Sequence, residues 1–396
     1  MSAVATRVAS AAEAARRLAR PVRSTFQPGR VAPRDGRASP EDVRPPLVVL
    51  VHGLESHSGT FDAVASYVAA MPPPTPSLLA VDLRGHGLTP VGPELEFLPA
   101  NLAADVAACA ATHAPGERVV LVGHSMGGRV AVRLAADYPE LVSHLIVEDM
   151  DATLMCADHA RAFFGADADD RPDAPKPAPE LERARAFDPA GDSAESLAAN
   201  LSAVAPNIFT AERVAGYLAR GRVYEVRSGA DSVNGGADSV SGGADSDARS
   251  FGRSLIHPLG FALACRRVLA SRDGVAAFSS LARLARKVEL EQESDPSPPH
   301  VPAVHLWRAP EGDREAGGGI TADRGSQGGR AVGSIDWIEE TFGRRVDSPD
   351  ADDARVDVRV ATFEGAGHSV HNTRLEAFAE ALVEVAVRGV GVVGKV

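Results

Sequence analysis

The chain reads as an α/β protein, a mostly parallel sheet with helices on both faces. Two observations predict this. Six short apolar runs of strand length alternate with stretches of helical periodicity, the pattern of successive β-α units. One of these runs, Val119-Val120-Leu121-Val122, breaks at Gly123-His124-Ser125-Met126-Gly127 and continues directly as a helix. The 396 residues, 44% apolar and 24% charged, suffice for a large core of that kind.

The elements follow in order. Phe26 to Val31 contains an opening strand. Pro46 introduces Leu47-Val48-Val49-Leu50-Val51, a run without polar alternation, as a strand buried on both faces requires. A helix over 60–71 leads to a strand at 77–81, and a helix over 101–113 leads to the strand at 118–122. The helix over 126–137 is followed by a strand at 144–148. After a long insertion come a strand at 303–307, a helix at 334–342, a strand at 356–363 and a helix at 373–388.

Gly-x-Ser-x-Gly between a strand and a helix is what a serine raised on a sharp turn demands. Small residues at 123 and 127 let the turn close, and the serine takes a strained backbone that costs roughly 1–3 kcal/mol. The helix beyond, from Arg129 to Ala136, aims its free N-terminal N–H groups at whatever Ser125 attacks. Upstream, the strand at 47–51 ends in His52-Gly53-Leu54, where the N–H of Leu54 pairs with that of Met126 to hold a developing oxyanion. Downstream, Gly365-Ala366-Gly367-His368 sets a histidine on the loop after the last strand.

On these residues the chain resembles the α/β-hydrolase superfamily. Four segments carry the likeness: His52-Gly53-Leu54, Asp82-Leu83-Arg84-Gly85-His86-Gly87, Gly123 to Gly128, and Gly365 to His368. Within the superfamily it is similar to compact acyl esterases and thioesterases with a helical cap. The resemblance implies the α/β-hydrolase fold, Ser125 as nucleophile, His368 as base, and Leu54 and Met126 as oxyanion donors. It names no substrate, because one scaffold hosts many chemistries.

Two positions fit the third catalytic residue. Many members of the superfamily carry the acid after the penultimate strand, here Val304 to Trp307, where Asp313 stands, with Glu311 beside it. The loop there runs on through glycines to Gly333, which is unusually long. A smaller group takes the acid from the strand after the elbow helix, where Asp149 sits twenty-four residues beyond Ser125, followed by Asp151. Asp149 is preferred and Asp313 is the alternative. In either place the acid orients the imidazole and stabilises the imidazolium.

Residues 45–150 and 300–390 are expected to form the catalytic core, and residues 151–299 an inserted cap. Gly229-Ala-Asp-Ser-Val recurs at seven-residue spacing within a loop at 228–250 that is expected to be flexible. Val275, Phe278, Leu281, Leu284 and Val288 form a helical stripe whose expected role is core packing ahead of lining an acyl pocket. Residues 1–44 read as a basic extension. The first forty hold eight arginines and two acids, and residues 3–20 have the pattern of an amphipathic helix. That is the composition of a mitochondrial or plastid targeting segment; the alternative is a basic tail on a cytoplasmic enzyme.

Other classes are disfavoured. A net charge of −12 opposes nucleic-acid binding, and no apolar run is long enough for an integral membrane segment. Cys109, Cys156 and Cys265 show neither disulfide nor zinc spacing. The glycines of 312–333 lack a following Gly-Lys-Ser/Thr, and no cofactor is implied. His86 and His124 read as structural supports. His368 and His371 stand three apart with no carboxylate pattern that would make them metal ligands.

The sequence therefore predicts a serine hydrolase that acts on a small-molecule carboxylic ester or thioester through an acyl-enzyme. The alternative is a hydrolase-fold ligand receptor or interaction module with little turnover. A C–C bond hydrolase or lipase is a second rival.

Overall fold

The computed structural model describes residues 2–31, 44–150, 156–164, 178–191, 193–219, 223–226, 251–271, 273–291, 300–310, 358–389, 391 and 394–396. In chain order the core elements are α1 (Ala3–Arg16), β1 (Ser24–Gln27), β2 (Val48–Val51), α2 (Asp62–Ala70), β3 (Leu78–Val81), α3 (Pro99–His113), β4 (Val119–His124), α4 (Met126–Asp137) and β5 (Val142–Glu148). The insertion that follows supplies α5 (Ala157–Phe164), α6 (Pro179–Arg185), β6 (Ala190–Gly191), α7 (Ala194–Val204), α8 (Ala211–Ala219), β7 (Val223–Val226), β8 (Phe251–Ser254), α9 (Pro258–Leu263) and α10 (Asp273–Glu291). The core resumes with β9 (Ala303–Arg308), β10 (Val358–Thr362), α11 (Val370–Thr373), α12 (Leu375–Arg388) and β11 (Gly394–Lys395).

An eight-stranded sheet in the order β1-β3-β2-β4-β5-β9-β10-β11 forms the centre, antiparallel only where β1 meets β3. Strand periodicity divides its side chains between two cores. Val49, Val51, Leu121, Leu145 and Leu306 face α3, α4 and the insertion, while Val48, Leu50, Val120, Ile146 and Trp307 face α2 and α12. Both faces are covered, which is why the runs lack polar alternation.

The opening strand at Phe26–Val31 begins two residues earlier and pairs with β3, from Ser24 opposite Val81 to Gln27 opposite Leu78. The two-residue β11 and the small antiparallel sheet β6-β8-β7 had no sequence signal, because their segments are too short for a period to show. The insertion between β5 and β9 therefore combines helices with a strand ribbon. Its α10 packs on α4: Phe278 and Leu281 are buried, and Asp273 pairs with Arg133 at 2.8 Å. That part of the stripe serves the core. The loop at 228–250, the helix expected at 334–342 and the acidic run to Asp357 lie outside the described residues.

The N-terminal segment differs from a detached extension. Helix α1 docks against α3 and buries Val8, Ala12 and Ala15. Small residues on this face let the two helices approach closely, and the basic residues edge the contact: Arg7 lies 3.7 Å from Glu140, and Arg20 pairs with Glu96 at 2.5 Å. The Arg20 N–H also reaches Asp105 at 2.6 Å, an acid that forms a buried ion pair with Arg84 at 2.5 Å. Cleavage near residues 25–45, the mark of a targeting segment, would uncover this apolar face.

A Val8→Asp substitution sets a charge against α3 and is expected to cost on the order of 3 kcal/mol in stability. Urea unfolding checks this; an unchanged midpoint would show that α1 does not dock in solution.

Candidate active site

The site stands at the C-terminal ends of β2, β4 and β5, where parallel strands present their loops to one side. Ser125 follows β4 with φ 51° and ψ −117°, a region that disfavours any side chain. Its N–H donates to the Glu148 carbonyl at 3.0 Å, and its own carbonyl accepts from Gly128 at 2.9 Å. The flanking glycines are dictated by backbone contact. A Cβ on Gly127 would lie 2.4 Å from the Val51 and His52 carbonyl oxygens, and one on Gly123 would lie 2.4 Å from the Gly127 carbonyl oxygen.

The loop after β2 runs beside the serine; a Cβ on Gly53 would stand 3.2 Å from that of Ser125. His52, fully buried, shapes this loop: its Nε2 accepts from the Leu83 N–H at 3.1 Å, which leaves Nδ1 to donate to the Gly53 carbonyl at 2.7 Å. Leu54 and Met126 thus lie on neighbouring turns around Ser125, Met126 as the first residue of α4. His86 lies tilted against His52, ring centres 5.2 Å apart, and contacts the Arg84 carbonyl at 3.0 Å, a supporting place in the loop after β3.

Asp149 is the residue the structure sets against His368. Its carboxylate is buried, and its Oδ2 accepts from His368 Nδ1 at 2.7 Å, while Oδ1 accepts from the Ala309 N–H at 3.1 Å. Asp149 also stands at positive φ, 41°, held there by its N–H bond to the Trp307 carbonyl at 2.7 Å. With the Nδ1 proton engaged, the tautomer of a neutral His368 leaves Nε2 free to accept. Asp313, Glu311 and Asp151 lie outside the described residues.

Two neighbours add a layer that motif reading missed. His371 had no expected carboxylate partner, yet Glu148 supplies one: Oε1 accepts from His371 Nδ1 at 2.7 Å. His124 donates from Nε2 to the His368 carbonyl at 3.0 Å. Burial would raise the Glu148 carboxyl, but the charges of His371 and His124 and the hydrogen bonds from His371 outweigh it and hold the group below its usual range. Burial drives His124 the other way, down to about 3. Donor atoms of His124, Glu148 and His371 lie within 4.8 Å of one another, the one such cluster among the described residues with metal-ligand types.

The insertion between β5 and β9 meets the loop after β2 through Glu55, a residue at φ 56° next to Leu54. Its Oε1 accepts from the Tyr217 hydroxyl and pairs with Arg213, both from α8. Burial first, then the Glu55 charge, raises the Tyr217 hydroxyl well above its ordinary value. Arg213 also lies over the Phe261 ring at 5.4 Å. From the other side Arg129 of α4 donates to the Val268 and Leu269 carbonyls at 3.3 and 3.1 Å, where the chain forms a π-helical turn after α9.

Acid should destabilise the protein in a defined window. Buried His124 and His305 both stay neutral down to about 3, whereas unfolded histidine binds its proton near 6.5. Between those values the unfolded state binds more protons, so stability rises with pH and is lost as pH falls from about 6.5 toward 3. Urea midpoints at pH 7, 6 and 5 test this, and His305→Phe should flatten the slope; a midpoint constant over that range contradicts it.

Residues 46–212 match the family described as alpha/beta hydrolase fold. Similar curated proteins include 2-(acetamidomethylene)succinate hydrolase of Mesorhizobium japonicum, 36% identical over 104 residues, 26% of this chain and 35% of that protein. The sn-1-specific diacylglycerol lipase ABHD11 of Danio rerio is 32% identical over 114 residues, 28% of this chain and 33% of that protein. Lipase LipV of Mycobacterium tuberculosis is 35% identical over 107 residues, 26% of this chain and 37% of that protein. The chain thus matches about a third of the length of these relatives. Among solved structures, a marine microorganism esterase aligns over 92% of this chain and 98% of its own, with 14% identity and a TM-score of 0.49. The family match over 46–212 and the parallel sheet interrupted by a serine elbow together give this chain the α/β-hydrolase fold.

Proposed function

We propose that the chain is a serine hydrolase that cleaves a carboxylic ester or thioester through an acyl-enzyme. The observation that carries the reading is the 2.7 Å contact of His368 Nδ1 with the buried Asp149 carboxylate, beside a serine at φ 51°. Oriented in this way, His368 Nε2 takes the Ser125 proton as Oγ attacks the acyl carbonyl. The oxygen becomes negative and is held by the N–H groups of Leu54 and Met126 at the start of α4. Loss of one such donor typically costs about 10²–10³ in turnover.

His368 then returns the proton to the departing alcohol or thiol, and water attacks the acyl-enzyme by the same route. Asp149 remains ionised throughout, stabilising the imidazolium it faces. The relatives bear the names hydrolase and lipase, which agrees with this reading at the level of reaction type.

Ser125→Ala is expected to abolish turnover of p-nitrophenyl butyrate and labelling by a fluorophosphonate probe, with the circular dichroism spectrum unchanged. Labelling that persists in this variant would falsify the assignment. Asp149→Asn should lower kcat by orders of magnitude, about 10⁴ by analogy with other triads, whereas Asp313→Asn should change it little. A single stoichiometric event without further cycles would favour a receptor.

A further inference from the structure

We propose that Glu148 and His371 form a second carboxylate–imidazole pair that holds the base in place, so that both are positioning residues; the inference rests on the hydrolase reading above. The pair stands directly behind the first. Parallel pairing sets His124 of β4 opposite Glu148 of β5, so the next residue on each strand, Ser125 and Asp149, emerges at the same level. Two consecutive acids therefore face two histidines three residues apart: Asp149 holds His368, and Glu148 holds His371.

Glu148 grips His371 twice. Its Oε1 accepts from the His371 backbone N–H at 2.9 Å as well as from Nδ1 at 2.7 Å. On the far side of the ring, Nε2 lies 3.0 Å from both the Thr60 hydroxyl and the Asn372 amide nitrogen. Accepting from these donors leaves the ring proton on Nδ1, facing the carboxylate. Three residues earlier, the His368 carbonyl accepts from His124 Nε2 at 3.0 Å. The span 368–371 is thus tied at its first carbonyl and its last amide to the two strands that carry Ser125 and Asp149.

Stability alone is a poor reason for such a pair. The side chains of Glu148 and His371 are 0% and 1% exposed, among Phe61, Phe378 and Trp307. A buried carboxylate hydrogen-bonded to an imidazole is often no more stabilising than apolar residues of similar volume, so its presence here fits a role in geometry. Misplacement of a catalytic group by about 1 Å can cost about 10²-fold in rate.

The test compares His371→Leu, His371→Gln and Glu148→Gln in the full chain. His371→Leu should lower kcat by roughly 10–100-fold with KM within about threefold, and His371→Gln, which keeps an N–H for Glu148, should recover most of the loss. Glu148→Gln should lower kcat about tenfold, again with little effect on KM. In histidine-labelled protein, the downfield N–H resonance of His368 should broaden in His371→Leu, an effect readable without turnover. Parental kcat in both His371→Leu and Glu148→Gln, with the His368 resonance unmoved, overturns the inference. So does one equivalent of divalent metal retained through dialysis and lost in Glu148→Gln, because His371 would then be a ligand rather than a donor. Absence of turnover in the parent refutes the hydrolase reading alone, since the resonance still decides the positioning.

Discussion

The approach of two backbones at Gly127 governs the rest of the site. The first turn of α4 lies so close to the end of β2 that no Cβ fits between them, and Gly123 closes the turn from within. This contact forces Ser125 into positive φ, and the bonds from its N–H to Glu148 and from Gly128 back to its carbonyl retain it there. Strain of a few kcal/mol persists only where surrounding structure over-determines the conformation. The sheet does so here: β4 is central, and both of its faces are buried.

From that point the parallel register propagates order sideways. Because β4 and β5 pair with His124 opposite Glu148, the strand ends fall level, and Asp149 is delivered next to the elbow without a long loop. Asp149 in turn is fixed by the Trp307 carbonyl and the Ala309 N–H of β9 and its continuation, so three adjacent strands determine where the imidazole of His368 points. The insertion between β5 and β9 meets the sheet near the same place. Arg129 reaches from the elbow helix to carbonyls of the insertion, and Glu55 reaches from the loop after β2 to Arg213 and Tyr217. The elbow and the insertion therefore share their supports.

Strands such as β2, β3 and β4 were legible as apolar runs, because burial on both faces erases polar alternation and leaves a plain signal. The elbow was legible because its glycines answer a local steric demand that only a few residues can satisfy. The N-terminal segment shows what composition leaves open. Its arginines and alanines suit a detached amphipathic helix, but the alanines are also what a close helix contact with α3 needs, and composition does not distinguish the two. Glu55 carried no sequence signal, since its partners lie more than 150 residues away.

The sequence by itself determined the order of the strands and helices from β2 to β5 and the position of the serine, because each follows from contacts within a short window. Which carboxylate meets His368 depended on distant segments. Spacing left Asp149 and Asp313 both open, and the folded chain brings Asp149 to the imidazole across 219 residues. The partnership of Glu148 with His371 arose in the same way. Hydrogen bonds between remote side chains are decided by strand register and loop closure, and neither is written in any local run of residues.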